Sequence, residues 1–337
     1  MKLAFLAFTE KGVALANLLS QTLGGSVTRC GKPDSLQEWT KKQFLQAEGL
    51  VFVGAVGIAV RAIAPYVEKK WSDPAVVAVD ECAGFAVPLL SGHLGGANRL
   101  ARAISDVCGA QAVITTATDI NGVFAVDEWA GCQGLSVADP EHIKLVSARL
   151  LSGSRIKVYS DYPVEGDCPQ GVELVESLPA DVAVSVQKEQ AVLSLVPKIA
   201  VLGIGCRKGA SQDVLDAVLE RFLQESGLHL PAICAVASIE LKKDEAGLVS
   251  LCRSHGWEFQ TCTVEKLQDV PGEFSSSEFV CRVTGVDNVC ERSAVAVSGG
   301  RLLCRKFAAD GVTMAAAVKP FRLNWNWSRQ WPAERRD

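Results

Sequence analysis

KIAVLGIGCRKGASQDVLDAVLERFLQESG, residues Lys198 to Gly227, decides how this chain is read. An apolar run passes through a glycine-rich turn straight into a long amphipathic segment. Ser211 is placed to cap that helix, and Asp213 lies near its positive end. Strand, tight turn and helix in this order make one unit of a parallel α/β sheet. The turn also invites a dinucleotide reading, but its glycines (Gly203, Gly205, Gly209) are spaced G-x-G-x-x-x-G rather than G-x-G-x-x-G. The acidic residue expected about 20 positions later falls on Glu220, amid the charges of a solvated helix face. What survives is simpler. A glycine turn with free backbone N–H groups and Arg207 and Lys208 beside it suits carboxylates or phosphates generally.

Working outward, the same alternation fills most of the chain. KLAFLAF, LVFVGAV, AVVAVD and AVITTA read as strands, while KGVALANLLSQTL, GIAVRAIAPYV and ANRLARAISDVCG carry helical periodicity. Residues 1–130 therefore predict an α/β domain with a mostly parallel sheet. Residues 131–197 change texture. A helix with Asp139 as N-cap and Pro140 at its first position precedes short strands separated by Gly, Pro and Asp. They predict a small α+β middle domain of antiparallel character. Residues 198–320 predict a C-terminal three-layer α/β domain. Residues 321–337 read as a polar, poorly ordered tail whose Trp325, Trp327 and Trp331 could dock on a partner.

Composition narrows the function. The chain has 337 residues, 48% hydrophobic and 21% charged, with a net charge of -4, which argues against general binding to nucleic acid or an anionic membrane. None of its 12 cysteines forms a C-x-x-C pair, so they read as reduced, small hydrophobes rather than disulfides or a zinc site. The lysine and apolar run at the start are broken by Thr9, Glu10 and Lys11, which fits a first strand and helix better than a signal peptide. No apolar stretch is long enough for a membrane span, and a cytoplasmic location is expected.

Two further stretches could carry chemistry. SIELKKDEAGL, residues 238–248, places Glu240, Lys242, Lys243, Asp244 and Glu245 just after a strand, in the usual ligand crevice of an α/β sheet or on a solvated helix start. PLLSGHLGGANRLARAI, residues 88–104, joins an apolar run to a helix through Ser91, Gly92, His93, Gly95, Gly96 and Asn98. Glycine lets backbone approach a ligand, and histidine titrates near neutral pH. A turn whose histidine merely bonds locally is the competing reading.

The stretch from Gly54 to Ser105 containing SGHLGGAN, together with AVITTATDINGVFAVDEWA, LGIGCRKGAS, ASIELKKDEAGL, GVDNVCERSAV and VTMAAA, strongly resembles the cobalt-precorrin-5A hydrolases, the CbiG family of anaerobic cobalamin synthesis. The resemblance covers nearly the whole chain and is thinnest in the middle domain. Trp71 and Ser72 depart from a lysine-threonine pair common in relatives. It implies that water opens the δ-lactone joining the ring A acetate to C20, and that C20 leaves with its methyl group as acetaldehyde. The cobalt then belongs to the substrate, so neither a protein metal site nor a cofactor is expected.

Such a reaction needs a base, oxyanion donors and a grip on a polycarboxylate ring. His93 is the candidate base or acid, with Glu245 as the alternative. The N–H groups of Gly95 and Gly96, with Asn98, are candidate oxyanion or carboxylate donors, and Ser91 and Gly92 line the same loop. Arg61, Arg207, Lys208 and Lys242, with the Gly203–Gly205 turn, are candidates for the substrate's acetates and propionates. There is no Gly-x-Ser-x-Gly elbow. Cys206 has no histidine near it in sequence, which disfavours a covalent route. A non-catalytic tetrapyrrole carrier would share the binding features. A methyltransferase is disfavoured by the lack of a recognisable methyl-donor site. Contacts with other enzymes of the pathway, or a homodimer, are compatible with the sequence.

Overall fold

The computed structural model describes residues 1–69 and 72–327, so Trp71, Trp331 and the end of the tail lie outside it. The first unit runs β1 (Leu3–Ala7), α1 (Glu10–Leu23), β2 (Ser26–Arg29), α2 (Leu36–Gln46), β3 (Gly49–Val53), α3 (Val56–Ile63), β4 (Ala75–Val79), β5 (Phe85–Leu90), α4 (Ala97–Cys108) and β6 (Gln111–Ala112). Its strands lie in the order β2-β1-β3-β4-β5-β6. Strands β1, β3 and β4 are buried at every residue, as continuous apolar runs require when both faces are covered. Alternation along β1 sorts the layers. Leu3, Phe5 and Ala7 pack with α1 and α4, while Ala4 and Leu6 pack with α2 and α3.

One strand breaks the pattern in a way that matters for function. Strand β5 is antiparallel to β4. The SGHLGGAN loop that follows it therefore emerges where β1, β3 and β4 begin, not at their C-terminal ends. Ser91 Oγ confirms this by donating to the carbonyl of Asp73, just ahead of β4 (2.9 Å).

Two short helices, α5 (Ala117–Ile120) and α6 (Val126–Cys132), lead into the middle unit. It comprises β7 (Leu135–Val137), α7 (Ile143–Leu151), β8 (Ile156–Ser160), β9 (Val164–Glu165), β10 (Val172–Val175), β11 (Ala180–Val184) and β12 (Ala191–Pro197). Pro140 does open a helical turn, a 3-10 turn preceding α7, but the Asp139 side chain makes no capping bond. The expected antiparallel character is corrected here. In the order β10-β8-β11-β12-β7, three pairs are parallel and only β12–β7 is antiparallel. The short links resemble hairpin turns in sequence, yet they run back outside the sheet. The one between β11 and β12 bonds to the C-terminal unit, with Lys188 N–H donating to Gly227 O (2.8 Å).

The last unit contains β13 (Ala200–Cys206), α8 (Gln212–Ser226), β14 (Ile233–Ile239), α9 (Ala246–His255), β15 (Glu258–Cys262), α10 (Val264–Gln268), α11 (Glu278–Thr284), α12 (Cys290–Ser298), β16 (Arg301–Ala309) and β17 (Val312–Val318). The sheet order is β15-β14-β13-β17-β16, and Ser211 Oγ caps α8 through Val214 N–H. Leu202 and Ile204 of β13 share a core with Leu215 and Leu219 of α8, while Gly203 faces α12 on the opposite side. Three layers result. The core on the α8 side is continuous with that of the middle unit, running from Phe124 to Trp325 across Pro197.

The tail also departs from expectation. Leu323–Asn324 forms β18, pairing in parallel with β9. Trp325 is only 5% exposed and stacks on Trp129 at 5.0 Å, while Trp129 Nε1 donates to Asn324 O (2.8 Å). The polar letters misled because the tryptophans between them supply the burial: Trp325 and Trp327 serve this chain's own core.

Candidate functional site

The two sequence stretches richest in candidates fold into two separate places. In the first, His93 is fixed between two carboxylates: Nε2 lies 2.9 Å from Asp119 Oδ2 and Nδ1 lies 3.2 Å from Asp127 Oδ2. Both nitrogens must carry protons to satisfy both acceptors. Burial opposes that charge, but the bonds to Asp119 and Asp127 outweigh it, and the imidazole is pushed up to about 10. Asp119 is in turn held below the usual carboxylate range. Burial works against its charge, but bonds from His93, Thr116 and Arg102 prevail. Asn98, 1% exposed, donates to Thr116 Oγ1 (2.9 Å) and to Asp119 Oδ2 (3.1 Å). Arg102 pairs with Asp119 and lies 3.7 Å from Glu128, whose carboxyl is raised by burial and by the charge of Asp119.

The loop spends its own donors. Gly96 N–H goes to His93 O (2.9 Å), Ala97 N–H to Ser91 O (3.1 Å) and Asn98 N–H to Gly92 O (2.9 Å). Gly96 N–H and the Asn98 amide are therefore not open to an oxyanion as placed. A doubly paired imidazolium is likewise a poor base at neutral pH. The arrangement fastens α5 and α6 to the loop after β5. Asp119, Asp127, Arg102 and Glu128 were absent from the residues singled out by sequence. Asp119, Asp127 and Glu128 lie inside AVITTATDINGVFAVDEWA and Arg102 inside PLLSGHLGGANRLARAI, but nothing in either stretch announces that they converge on His93.

The second place is a cavity of about 1120 Å³ at the C-terminal ends of β13 and β14. That exceeds the ~300–1,000 Å³ usual for small-molecule sites. Gly205, Cys206, Arg207 and Lys208 form one border, and Leu241, Lys242 and Glu245 another. Val280 and Val283 of α11 and the Asn288–Cys290 segment supply a largely apolar wall, with Lys306 and Thr313 beside Cys290. Leu241 and Val283 are 68% and 62% exposed, an arrangement suited to a flat apolar ligand. Glu245 accepts from Lys242 Nζ (2.8 Å) and from Gly209 N–H (2.6 Å). The lysine bond chiefly holds its carboxyl below the ordinary range, against burial and with help from Gly209. Burial pushes the Cys206 and Cys290 thiols up, the latter to about 11, so neither is a ready nucleophile.

The structure thus divides the sequence candidates. Ser91, Gly92, His93, Gly95, Gly96 and Asn98 lie at the first place, and Gly205, Arg207, Lys208, Lys242 and Glu245 at the second. Gly203 belongs to neither. It is buried beneath α12, where a Cβ would stand 1.8 Å from Cys290 O, so it serves close packing rather than a ligand. Arg61 is exposed on α3, the helix joining β3 to β4, and bonds back to Gly57 O (3.4 Å). The middle unit meets the C-terminal one where β14 begins, through His229 N–H to Val186 O (2.9 Å), the end away from the cavity. Seven residues of β13 at ~3.3 Å each put roughly 20 Å of sheet between that seam and the cavity.

Comparison with known proteins places this architecture. Family models described as cobalamin synthesis G N-terminal and cobalamin synthesis G C-terminus match residues 38–119, from α2 of the first unit into α5, and 200–317, the cavity-bearing unit. The fold and its matched halves define a protein of the cobalamin synthesis G class. Cobalt-precorrin-5A hydrolase of Salmonella typhimurium is 34% identical over 344 residues, covering 94% of this chain and 97% of the relative. The enzyme of the same name from Priestia megaterium is 30% identical over 301 residues, covering 82% of this chain and 80% of the relative. The chain belongs to the cobalt-precorrin-5A hydrolase family. CobE, described as a protein from the cobalamin (vitamin B12) biosynthetic pathway, is 37% identical over 36% of this chain and 91% of its own, with a TM-score of 0.34. Among the described residues, no helix is long and apolar enough to cross a membrane.

Proposed function

We propose that the chain hydrolyses cobalt-precorrin-5A and that the cavity at the ends of β13 and β14 holds the ring. The observation that carries the reading is that cavity: about 1120 Å³, with apolar walls and a rim bearing Arg207, Lys208, Lys242 and Lys306. A macrocycle has apolar faces and carboxylates around its edge, so its faces match the walls and its periphery matches the cations. Asp244, Glu245, Asp287 and Asp310 line the same cavity, but Asp287 and Asp310 are paired with Arg292 and Arg221 outside it, so the four basic groups are its partners for a carboxylate.

In this reading Glu245 is the base. It takes a proton from water, which attacks the lactone carbonyl; the acyl–oxygen bond breaks, leaving a carboxylate on ring A and a hydroxyl on C20. The backbone N–H of Lys208 and those at the start of α9 are the candidate donors to the developing oxyanion. Loss of the hydroxyl proton then forms the C20 carbonyl. The electron pair of the bond joining C20 to the ring passes into the conjugated macrocycle, and acetaldehyde leaves. The cobalt arrives with the substrate, and no separate cofactor is required. His93 fastens the N-terminal unit rather than carrying protons for this step.

Purified protein given cobalt-precorrin-5A should release one acetaldehyde per ring, read by coupling to alcohol dehydrogenase and NADH. Tight ring binding without acetaldehyde would replace the hydrolase with a carrier.

A further inference from the structure

The contacts of Glu245 point beyond its use as a base. Its two oxygens are held by different donors: Oε1 by Gly209 N–H at 2.6 Å and Oε2 by Lys242 Nζ at 2.8 Å. One backbone N–H and one ammonium, on two elements at the mouth of a sheet, form a receptor for a carboxylate. In this structure the protein's own side chain fills it. Glu245 and Lys242 are 11% and 15% exposed, so both are mostly enclosed yet reachable from the cavity.

We propose, building on the hydrolase reading, that Glu245 is a carboxylate plug: a side-chain carboxylate of the ring displaces it from Gly209 and Lys242, and the freed Glu245 becomes the base. The exchange is local. Glu245 occupies the N-cap position of α9 without a capping bond from its side chain, and Gly247 packs so tightly on the loop before α8 that a Cβ there would lie 2.1 Å from Ala210 O. Helix α9 therefore stays where it is, and only the side chain of Glu245 swings. While plugged, Glu245 is a weak base, because the Lys242 bond favours its ionised form. A substrate carboxylate that takes over both donors removes that stabilisation and adds a like charge nearby, so proton affinity rises when the ring is in place. The other charged or titratable groups around it are Lys208 and Arg207 on the turn, Asp244 beside it and the Cys206 thiol at the end of β13. Water activation is thereby tied to occupancy.

The test separates binding from turnover. Uroporphyrin, a tetrapyrrole carrying eight carboxylates, is titrated into the full-length protein by fluorescence, and acetaldehyde release from cobalt-precorrin-5A is measured on the same preparations. E245A and the isosteric E245Q should bind uroporphyrin about tenfold and a few-fold more tightly than the parent, as expected from losing a competitor for charge-assisted bonds. Both should lose at least ~100-fold in kcat with KM lowered, not raised. K242Q should weaken uroporphyrin binding in the parent and in E245A alike. Unchanged or weaker binding by both Glu245 variants, with circular dichroism unaltered, overturns the plug. Absence of acetaldehyde from the parent overturns the hydrolase reading instead, and the binding comparison still decides the plug.

Discussion

Replacing His93 with Gln should alter not only stability but its dependence on pH. The imidazolium bridges Asp119 and Asp127 with 15% of its side chain exposed, and removing one partner of such a buried pair costs roughly 3–5 kcal/mol. The folded value of about 10 lies above the ordinary 6.5. The stabilisation is therefore fully present below about pH 6.5 and is lost as pH rises through the folded value. Between these limits the folded state binds the extra proton, and stability falls by at most ~1.4 kcal/mol per pH unit. From pH 7 to 9 the gap between parent and H93Q should narrow by roughly 2–3 kcal/mol. Asp119 adds no slope there, because its lowered value leaves it ionised whether folded or not. Urea melts at pH 6, 7, 8 and 9 would show two curves converging with pH. Curves that stay parallel would refute the doubly paired imidazolium. A ~100-fold fall in kcat per folded molecule would return His93 to proton transfer.

Trp325→Ala removes a 5%-exposed ring stacked on Trp129 and should cost roughly 3–5 kcal/mol in urea unfolding. A near-neutral result would mean that the segment from β18 to Trp327 contributes little. Gly203→Ala forces a methyl against Cys290 O, which would stand 1.8 Å away, and should destabilise by several kcal/mol, beyond the ~1–3 kcal/mol usual for overpacking. It should also disturb ring binding through the neighbouring Asn288–Cys290 wall. Arg207→Ala with Lys208→Ala should raise KM for the ring severalfold, steepest at low salt, with kcat little changed, since both side chains are exposed rim cations. A salt-independent KM would argue that these cations do not meet the carboxylates.

Much of the fold was legible because its strands are buried on both faces and its helices are amphipathic. The runs at Leu3, Gly49, Ala75 and Ala200 announce themselves by unbroken apolarity. Direction was harder. Nothing in the links around Gln187 distinguishes a hairpin from a return segment that borrows bonds from another unit, because the partner, Leu228, is far away in sequence. The placement of the SGHLGGAN loop was hidden for a related reason. Its composition suits a ligand turn, and the reversed β5 sends it to the end of the sheet where β1, β3 and β4 begin. The Arg207–Lys208 turn and the Lys242–Glu245 segment each read as following a strand, and the pairing of β13 with β14 brings them to one cavity. That Glu245 would occupy the crevice itself depended on a 2.6 Å contact no spacing reveals.

The strap at Leu323–Trp327 has a consequence for how the protein is made. Trp129 and Phe124 are finished by residues about 200 positions later, so their faces stay open while the intervening chain is being synthesised. Closing so long a loop carries an entropic cost that grows only as the logarithm of its length. The delay, rather than the penalty, is what exposes the nascent chain, because an aromatic surface waits for a segment 195 residues downstream to emerge. Fusions are best joined beyond Trp327, where they leave that closing stroke intact, and a nick just before Leu323 would strip the lid from a core that otherwise looks complete.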